Sequence, residues 1–202
     1  EWKGGGIITY AMNGLSVVEE EETLAIKNFN QASAVQITTQ GQTFRLVTIY
    51  RPPNTTGENN NALIELLRER SAHRSIFVGD FNYRNIDWEE GRLKESDPAA
   101  GAFLDVTLDC FLTQYVTFPT RGNNILDLIL ATDSAQISAV ADEGKIANSD
   151  HTSMSFYFGK SGPRLCNSRQ KVPNFGKADY PSMKTTLQSI DWELEFENKT
   201  VE

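Results

Sequence analysis

Cysteine and histidine are scarce in this sequence, and long apolar runs are missing altogether. Two Cys and two His among 202 residues leave no disulfide framework, and the two His lie far apart, which argues against a zinc site. Cys110 falls in an expected helix and Cys166 in a polar tail, so both read as free thiols of a reducing compartment. No apolar stretch approaches the roughly 20 residues that cross a bilayer, so no transmembrane helix is expected. The opening Glu1-Trp2-Lys3-Gly4-Gly5-Gly6 has neither the basic start nor the apolar core of a signal peptide. With no initiator Met, the chain is expected to start in mid-protein. No internal repeat is present.

Positive charge is also short. The formal net charge is −8, and it is unevenly spread. Residues 1–159 hold 12 Lys and Arg against 21 Asp and Glu, a net of −9, whereas residues 160–202 carry a net of +1. A domain this acidic is a poor autonomous binder of polyanions, because Lys and Arg contacts to phosphate dominate nucleic-acid affinity. Either the ligand is not a nucleic acid, or divalent cations and parts outside the chain supply the positive charge.

What is present is a globular composition, with 39% hydrophobic and 23% charged residues. Short apolar runs predict strands at 7–12, 15–18, 23–27, 33–38 and 44–50, with Asn13-Gly14 as a hairpin turn. Further strands are expected around the Ile76-Phe77-Val78 run and at 115–118, 125–131, 136–141 and 152–158. The four acids Glu19 to Glu22 read as a solvated loop, with a calcium site as the alternative. A helix is expected over about 60–70, its buried stripe made by Leu63, Leu66 and Leu67. A second begins at Ser96-Asp97-Pro98, an N-cap followed by proline, and runs to about Thr113. Its core-facing residues are expected to be Phe103, Leu104, Leu108, Phe111 and Leu112. Many short strands interrupted by two helices give an α+β domain of two packed, mostly antiparallel sheets with outer helices. Beyond 159 the composition turns to Lys, Arg, Ser, Asn and Pro, so 160–202 reads as a linker or tail, with short helices at 178–187 and 190–196.

Polar residues gather at the predicted strand ends. Gly79 follows the Ile76-Phe77-Val78 run and is succeeded by Asp80 and Asn82, two positions that face the same way in extended chain. A carboxylate beside an amide suits proton transfer and water positioning. The plainer reading is an Asp-x-Asn turn capping its own backbone. Tyr50 ends an earlier strand, and Asp150-His151 precede the last one. Asp127 lies among Leu126, Leu128, Ile129 and Leu130, where a carboxylate is costly without a cation or a donor. His151 is its natural partner, since a carboxylate can orient an imidazole and keep it charged. Singly, each has an ordinary explanation: an edge aromatic, a local turn, a surface histidine. Together they describe a site assembled from strand ends.

In this order, Ile49-Tyr50-Arg51-Pro52-Pro53-Asn54, Gly79-Asp80-Phe81-Asn82, Leu126-Asp127-Leu128-Ile129-Leu130 and Ser149-Asp150-His151 resemble the endonuclease/exonuclease/phosphatase superfamily. The Gly-Gly-Gly-Ile-Ile-Thr-Tyr start, Phe118-Pro119-Thr120-Arg121 and the tail from Asn174 to Tyr180 narrow the resemblance to the endonuclease domain of jockey-like non-LTR retrotransposons. The resemblance implies a four-layer α/β sandwich, here missing its first strand or strands, over residues 1–159. It implies a Mg²⁺-dependent phosphodiesterase, with Mn²⁺ as the alternative ion, that nicks double-stranded DNA in the nucleus. The freed 3′ hydroxyl would prime a reverse transcriptase domain in cis, to which 160–202 would lead. Carried over by motif, Asp80 would handle the proton of the attacking water, which Asn82 would help to hold. Tyr50 would contact the scissile phosphate, Asp127 would orient His151, and His151 would stabilise phosphoryl charge. Asp150 would bind the metal or its coordinated water. The family also carries an early Asn and a metal-binding Glu before the Gly-rich strand, and no residue here matches either. A weak nuclease, or none, is therefore expected of this chain alone. A phosphatase or exonuclease on the same fold is one alternative, and a non-catalytic binding module or mobile-element remnant is another.

Overall fold

The computed structural model describes residues 7–20, 31–39, 41–71, 74–132, 137–159 and 179–190. The chain divides into two compact units, Glu1–Gly162 and Pro163–Glu202.

The first unit is built on a six-stranded mixed sheet. Strands β1 (Ser16–Glu19), β2 (Ala32–Thr39) and β3 (Gln42–Tyr50) pair in sequence, each antiparallel to the next. Helix α1 (Gly57–Arg70) then crosses over, so β4 (Ser75–Asp80) returns parallel to β3. A parallel neighbour requires such a crossover, which the proline pair after Tyr50 begins by stopping β3. Strand β8 (Asp127–Ala131) pairs antiparallel with β4, and β7 (Thr113–Gln114) closes the order β1-β2-β3-β4-β8-β7. A two-residue pair, β5 (Ile86–Asp87) with β6 (Arg92–Leu93), precedes helix α2 (Pro98–Asp109). The hairpin β9 (Ile137–Lys145) and β10 (Thr152–Phe158) forms a separate sheet.

Period-two alternation sends the two faces of the large sheet into different cores. Val47, Ile49, Phe77, Leu128 and Leu130 pack against Leu63, Leu66 and Leu67 of α1 and Phe103 and Val106 of α2. Phe44, Ile76, Ile129 and Ala131 face the other way, towards Ile137, Met154, Phe156 and Phe158 of the hairpin. Among the described residues of the first unit the layers are thus helices, sheet and hairpin, with α1 and α2 on one side. The four largest fully buried side chains, Phe44, Phe77, Phe81 and Phe103, each contribute about 1.5–3 kcal/mol through burial.

Several expectations are corrected. Residues 7–12 form no strand, and Ile8, Tyr10 and Met12 are exposed. The Asn13-Gly14 turn exists, but β1 finds its ladder partner in β2 instead. Residues 115–118 are not a strand either, because the Gln114 amide turns back onto both the N–H and the C=O of Val116. Helix α2 ends at Asp109, and Phe111 adopts φ 52°, so helical spacing does not reach it. Leu108 and Phe111 are exposed, while Ala100, Phe103, Val106 and Thr107 face the core. Glu20 is not solvated: its buried carboxylate pairs with Arg45 at 2.7 Å and with Arg70, and accepts from Gln36. The expected strand at 23–27, the helix at 190–196, Cys166 and the Gly-rich start lie outside the described residues.

In the second unit, helix α3 (Tyr180–Gln188) begins at Asp179, whose side chain accepts from the Ser182 N–H. It buries no residue of its own.

Candidate active site

Three sequence-predicted residues end up in one row across neighbouring strands. Tyr50 of β3 is the parallel register partner of Asp80 of β4, and Asp80 is the antiparallel partner of Asp127 of β8. Paired residues share a face, and alternation puts this row on the hairpin side of the sheet. It lies where the apolar filling between sheet and hairpin ends. His151, just before β10, reaches the row from the hairpin layer, and its Nδ1 lies 2.8 Å from Asp127 Oδ2. An ionised carboxylate only accepts, so against it Nδ1 is the donor and Nε2 is left outside this contact. Asp80, Asp127 and His151 offer ligand atoms within 4.8 Å of one another.

Gly79 makes this row possible. Its φ is 137°, and a Cβ there would stand 1.8 Å from the Ile49 carbonyl oxygen. Only glycine lets β4 approach β3 at that point.

Beyond Asp80 the chain leaves the strand, so the extended geometry expected for Asp80 and Asn82 is not what joins them. Asn82 takes φ 51°, and its backbone N–H donates to Asp80 Oδ1 at 3.1 Å. Its side-chain amide donates to Asp80 Oδ2 at 2.7 Å and to the Arg51 carbonyl at 2.9 Å. The self-capping turn is thus present, and the same turn holds the amide against the carboxylate. Asn82 Oδ1 is buried without a hydrogen-bond partner among the described residues. Burial, and then the Asp127 charge, raise the Asp80 carboxyl above its ordinary range, against the lowering effects of His151 and Asn82.

Two supports were not predicted. Arg51 is buried; its Nε donates to Asn60 Oδ1 at 2.9 Å and one guanidinium nitrogen donates to the carbonyls of Phe81 and Asn82. The guanidinium also lies 3.9 Å from the centre of the Tyr83 ring. It clamps the turn that carries Asn82. Thr120 accepts from the N–H groups of Leu126 and Asp127 at 3.0 Å each, and its carbonyl accepts from Thr152. It thereby fixes β8 to the start of β10, and so Asp127 to His151. Both residues lie in motifs already singled out, Tyr50-Arg51-Pro52-Pro53 and Phe118-Pro119-Thr120-Arg121, which was the available signal.

Asp150 stands apart from Asp80, Asp127 and His151. It is exposed and takes Arg121 at 2.6 and 2.7 Å, which lowers its carboxyl below the ordinary range. Tyr50 stands beside Asp80 in register and is partly exposed.

The donor set can be tested for a divalent ion. Two carboxylates converge with one imidazole, and the amide oxygen of Asn82, whose nitrogen bonds Asp80, has no hydrogen-bond partner among the described residues. Hard oxygen donors of this kind suit Mg²⁺, and the imidazole widens the choice to Mn²⁺. The residues fit such an ion.

A family model described as endonuclease-reverse transcriptase matches residues 44–155. Among solved structures, the endonuclease domain of TRAS1, a telomere-specific non-LTR retrotransposon, aligns at 21% identity with TM-score 0.57, covering 72% of this chain and 67% of that one. A 3′ phosphatase, NExo, from Neisseria, bound to product DNA hairpin, aligns at 16% identity and TM-score 0.49, covering 73% and 80%. An endonuclease/exonuclease/phosphatase family protein from Leptotrichia buccalis aligns at 18% and 0.44, covering 64% and 54%. Comparison with curated proteins finds no match.

Proposed function

This chain belongs to the endonuclease-reverse transcriptase family of the endonuclease/exonuclease/phosphatase superfamily, and from that premise we propose that it is the DNA-nicking domain of a non-LTR retrotransposon. The observation that carries the reading is the Asp127–His151 hydrogen bond beside Asp80, all three at strand ends of one sheet and its facing hairpin. In this reading the fold is the superfamily's four-layer sandwich, with 1–159 as its share and 160–202 leading to a reverse transcriptase domain in cis. The substrate is double-stranded DNA in the nucleus, and the product is a 3′ hydroxyl that primes reverse transcription.

Asp80 accepts the proton of the attacking water, a task helped by a carboxyl raised above its ordinary range. Asn82 keeps the Asp80 carboxylate aimed by donating to both its oxygens. Asp127 holds the imidazole so that His151 Nε2 faces a phosphoryl oxygen, where charge develops in the transition state. Tyr50 contacts the phosphate from the adjoining strand. A Mg²⁺ or Mn²⁺ ion would be held by carboxylate oxygens of Asp80 and Asp127, with Asn82 Oδ1 as a neutral donor. When bound, it would polarise the phosphoryl oxygen and ease deprotonation of water. Asp150, proposed from motif order as a metal ligand, is satisfied by Arg121 and fits that role less well.

Nicking of supercoiled plasmid at high protein concentration tests the reading. Slow, Mg²⁺-dependent conversion to open circles is expected, with Asp80→Ala and His151→Ala each reducing it about 10²–10⁴-fold. Nicking that survives both substitutions, or that ignores chelator, would sink it.

A further inference from the structure

Thr120 and Arg121 belong to a loop that is wired to the site from both sides. Arg121 forms an antiparallel bridge with His151, so their side chains leave the backbone on one face. Beside this pair opens a cavity of about 410 Å³ whose lining includes Arg84, Arg121, Asn124, Lys145 and Asp150. Three cationic side chains meet here against one carboxylate, within a stretch of net charge −9.

They come from three separate elements. Arg84 follows the Asn82 turn, Arg121 sits in the loop before β8, and Lys145 ends β9. Arg84 and Lys145 are exposed and make no ion pair among the described residues. Arg121 spends Nε and one terminal nitrogen on Asp150 Oδ2, which leaves its other terminal nitrogen for a ligand. A planar guanidinium, a second arginine, a lysine and a side-chain amide around one cavity are the donors that recognise a phosphate.

We propose that this pocket binds a phosphodiester of duplex DNA adjacent to the one positioned at Asp80, Asp127 and His151. The proposal rests on the nuclease reading of that site. It also bears on how so acidic a domain engages a polyanion: three of the 12 Lys and Arg of residues 1–159 line this one cavity. The Arg121–His151 bridge would then couple strand placement to the orientation of the imidazole.

Fluorescence anisotropy of a labelled short DNA duplex, in chelator and over a salt series, tests this without cleavage. Arg84→Ala combined with Lys145→Ala is expected to weaken binding on the order of tenfold and to flatten log K against log salt by about 0.9 for each phosphate that the variant no longer neutralises. Arg92→Ala, exposed and outside the pocket, serves as control and is expected to change neither; thermal melts check that all variants fold. An unchanged slope in the double variant overturns the proposal, as does an equal loss in the control. If the variant loses affinity for inorganic phosphate but keeps its affinity for DNA, the pocket takes the free anion and the proposal also fails. Plasmid nicking with an unchanged slope would refute the pocket while leaving the nuclease reading intact. A wild-type chain with no DNA affinity would refute both.

Discussion

Asp80 and Asp127 stand directly opposite each other on antiparallel neighbours β4 and β8. Like charges so placed repel, and burial is the larger of the two effects that raise Asp80. The arrangement therefore costs stability when no cation is bound. In chelator at neutral pH, Asp80→Asn is expected to raise Tm by about 2–4 °C, roughly 1 kcal/mol once screening of a partly open carboxylate is allowed for. A carboxyl with a raised folded-state pKa favours folding while protonated, and that advantage fades as pH rises through the folded value. The gain from Asn should thus be largest at neutral pH and vanish below the carboxylate range. Mg²⁺ should stabilise the wild type and not the variant. A variant that melts lower at neutral pH would show that the Asn82 hydrogen bonds outweigh the repulsion.

Gly79→Ala tests how tightly β3 and β4 are joined at the site. The added Cβ would meet the Ile49 carbonyl oxygen at 1.8 Å, and φ of 137° is strained for any other residue. The backbone term alone is about 1–3 kcal/mol, and the clash adds to it. Urea denaturation should show a loss above that range, or no folded protein. A loss below about 1 kcal/mol, the floor of the backbone term, would mean that β4 can slide without harm to the fold.

The strand ends were legible because polar residues flank short apolar runs, and because a carboxylate among leucines demands a partner. That demand leads from Asp127 to His151 across 24 residues. Where the pattern misleads, the deciding contact is non-local or made by a side chain. Residues 7–12 have the pattern of a strand, but pattern does not name the partner that β1 takes. Gln114 ends β7 by bonding to Val116, which no periodicity records. Glu20 looks solvated within a run of acids, yet its partners Arg45 and Arg70 lie 25 and 50 residues away.

Asp97 caps α2 by accepting from the N–H groups of Ala99 and Ala100 at 3.1 and 3.0 Å, and it also accepts from Asn85. The Ala100 bond, foremost, lowers its carboxyl below the ordinary range. A lowered folded-state pKa contributes stability above the unfolded value, and this is lost as pH falls through the folded one. Asp97→Ala should cost about 1 kcal/mol at neutral pH. The difference from wild type should narrow in acid, read from urea midpoints at several pH values. A difference that is constant with pH would assign the loss to packing rather than to the charged cap.

Arg51 is a buried cation beneath the turn that carries Asn82. Its guanidinium satisfies Asn60 Oδ1 and the carbonyls of Phe81 and Asn82 while covering the Tyr83 ring. That same ring packs on Phe103 of α2 with centroids 4.3 Å apart, so one side chain connects the Asn82 turn to the helix core. Arg51→Met removes every donor and leaves the Phe81 and Asn82 carbonyls short, while Asn60 Oδ1 keeps the Tyr83 hydroxyl, an expected cost of about 2–4 kcal/mol. Arg51→Lys keeps the charge but not the planar fork, so it should recover less than half of that loss. The effect on the site separates clamp from bulk stabiliser. At temperatures where Arg51→Lys remains folded, its nicking rate should still fall, because the turn that aims Asp80 is loosened. Full activity in folded Arg51→Lys would show that Asn82 holds its place without the clamp.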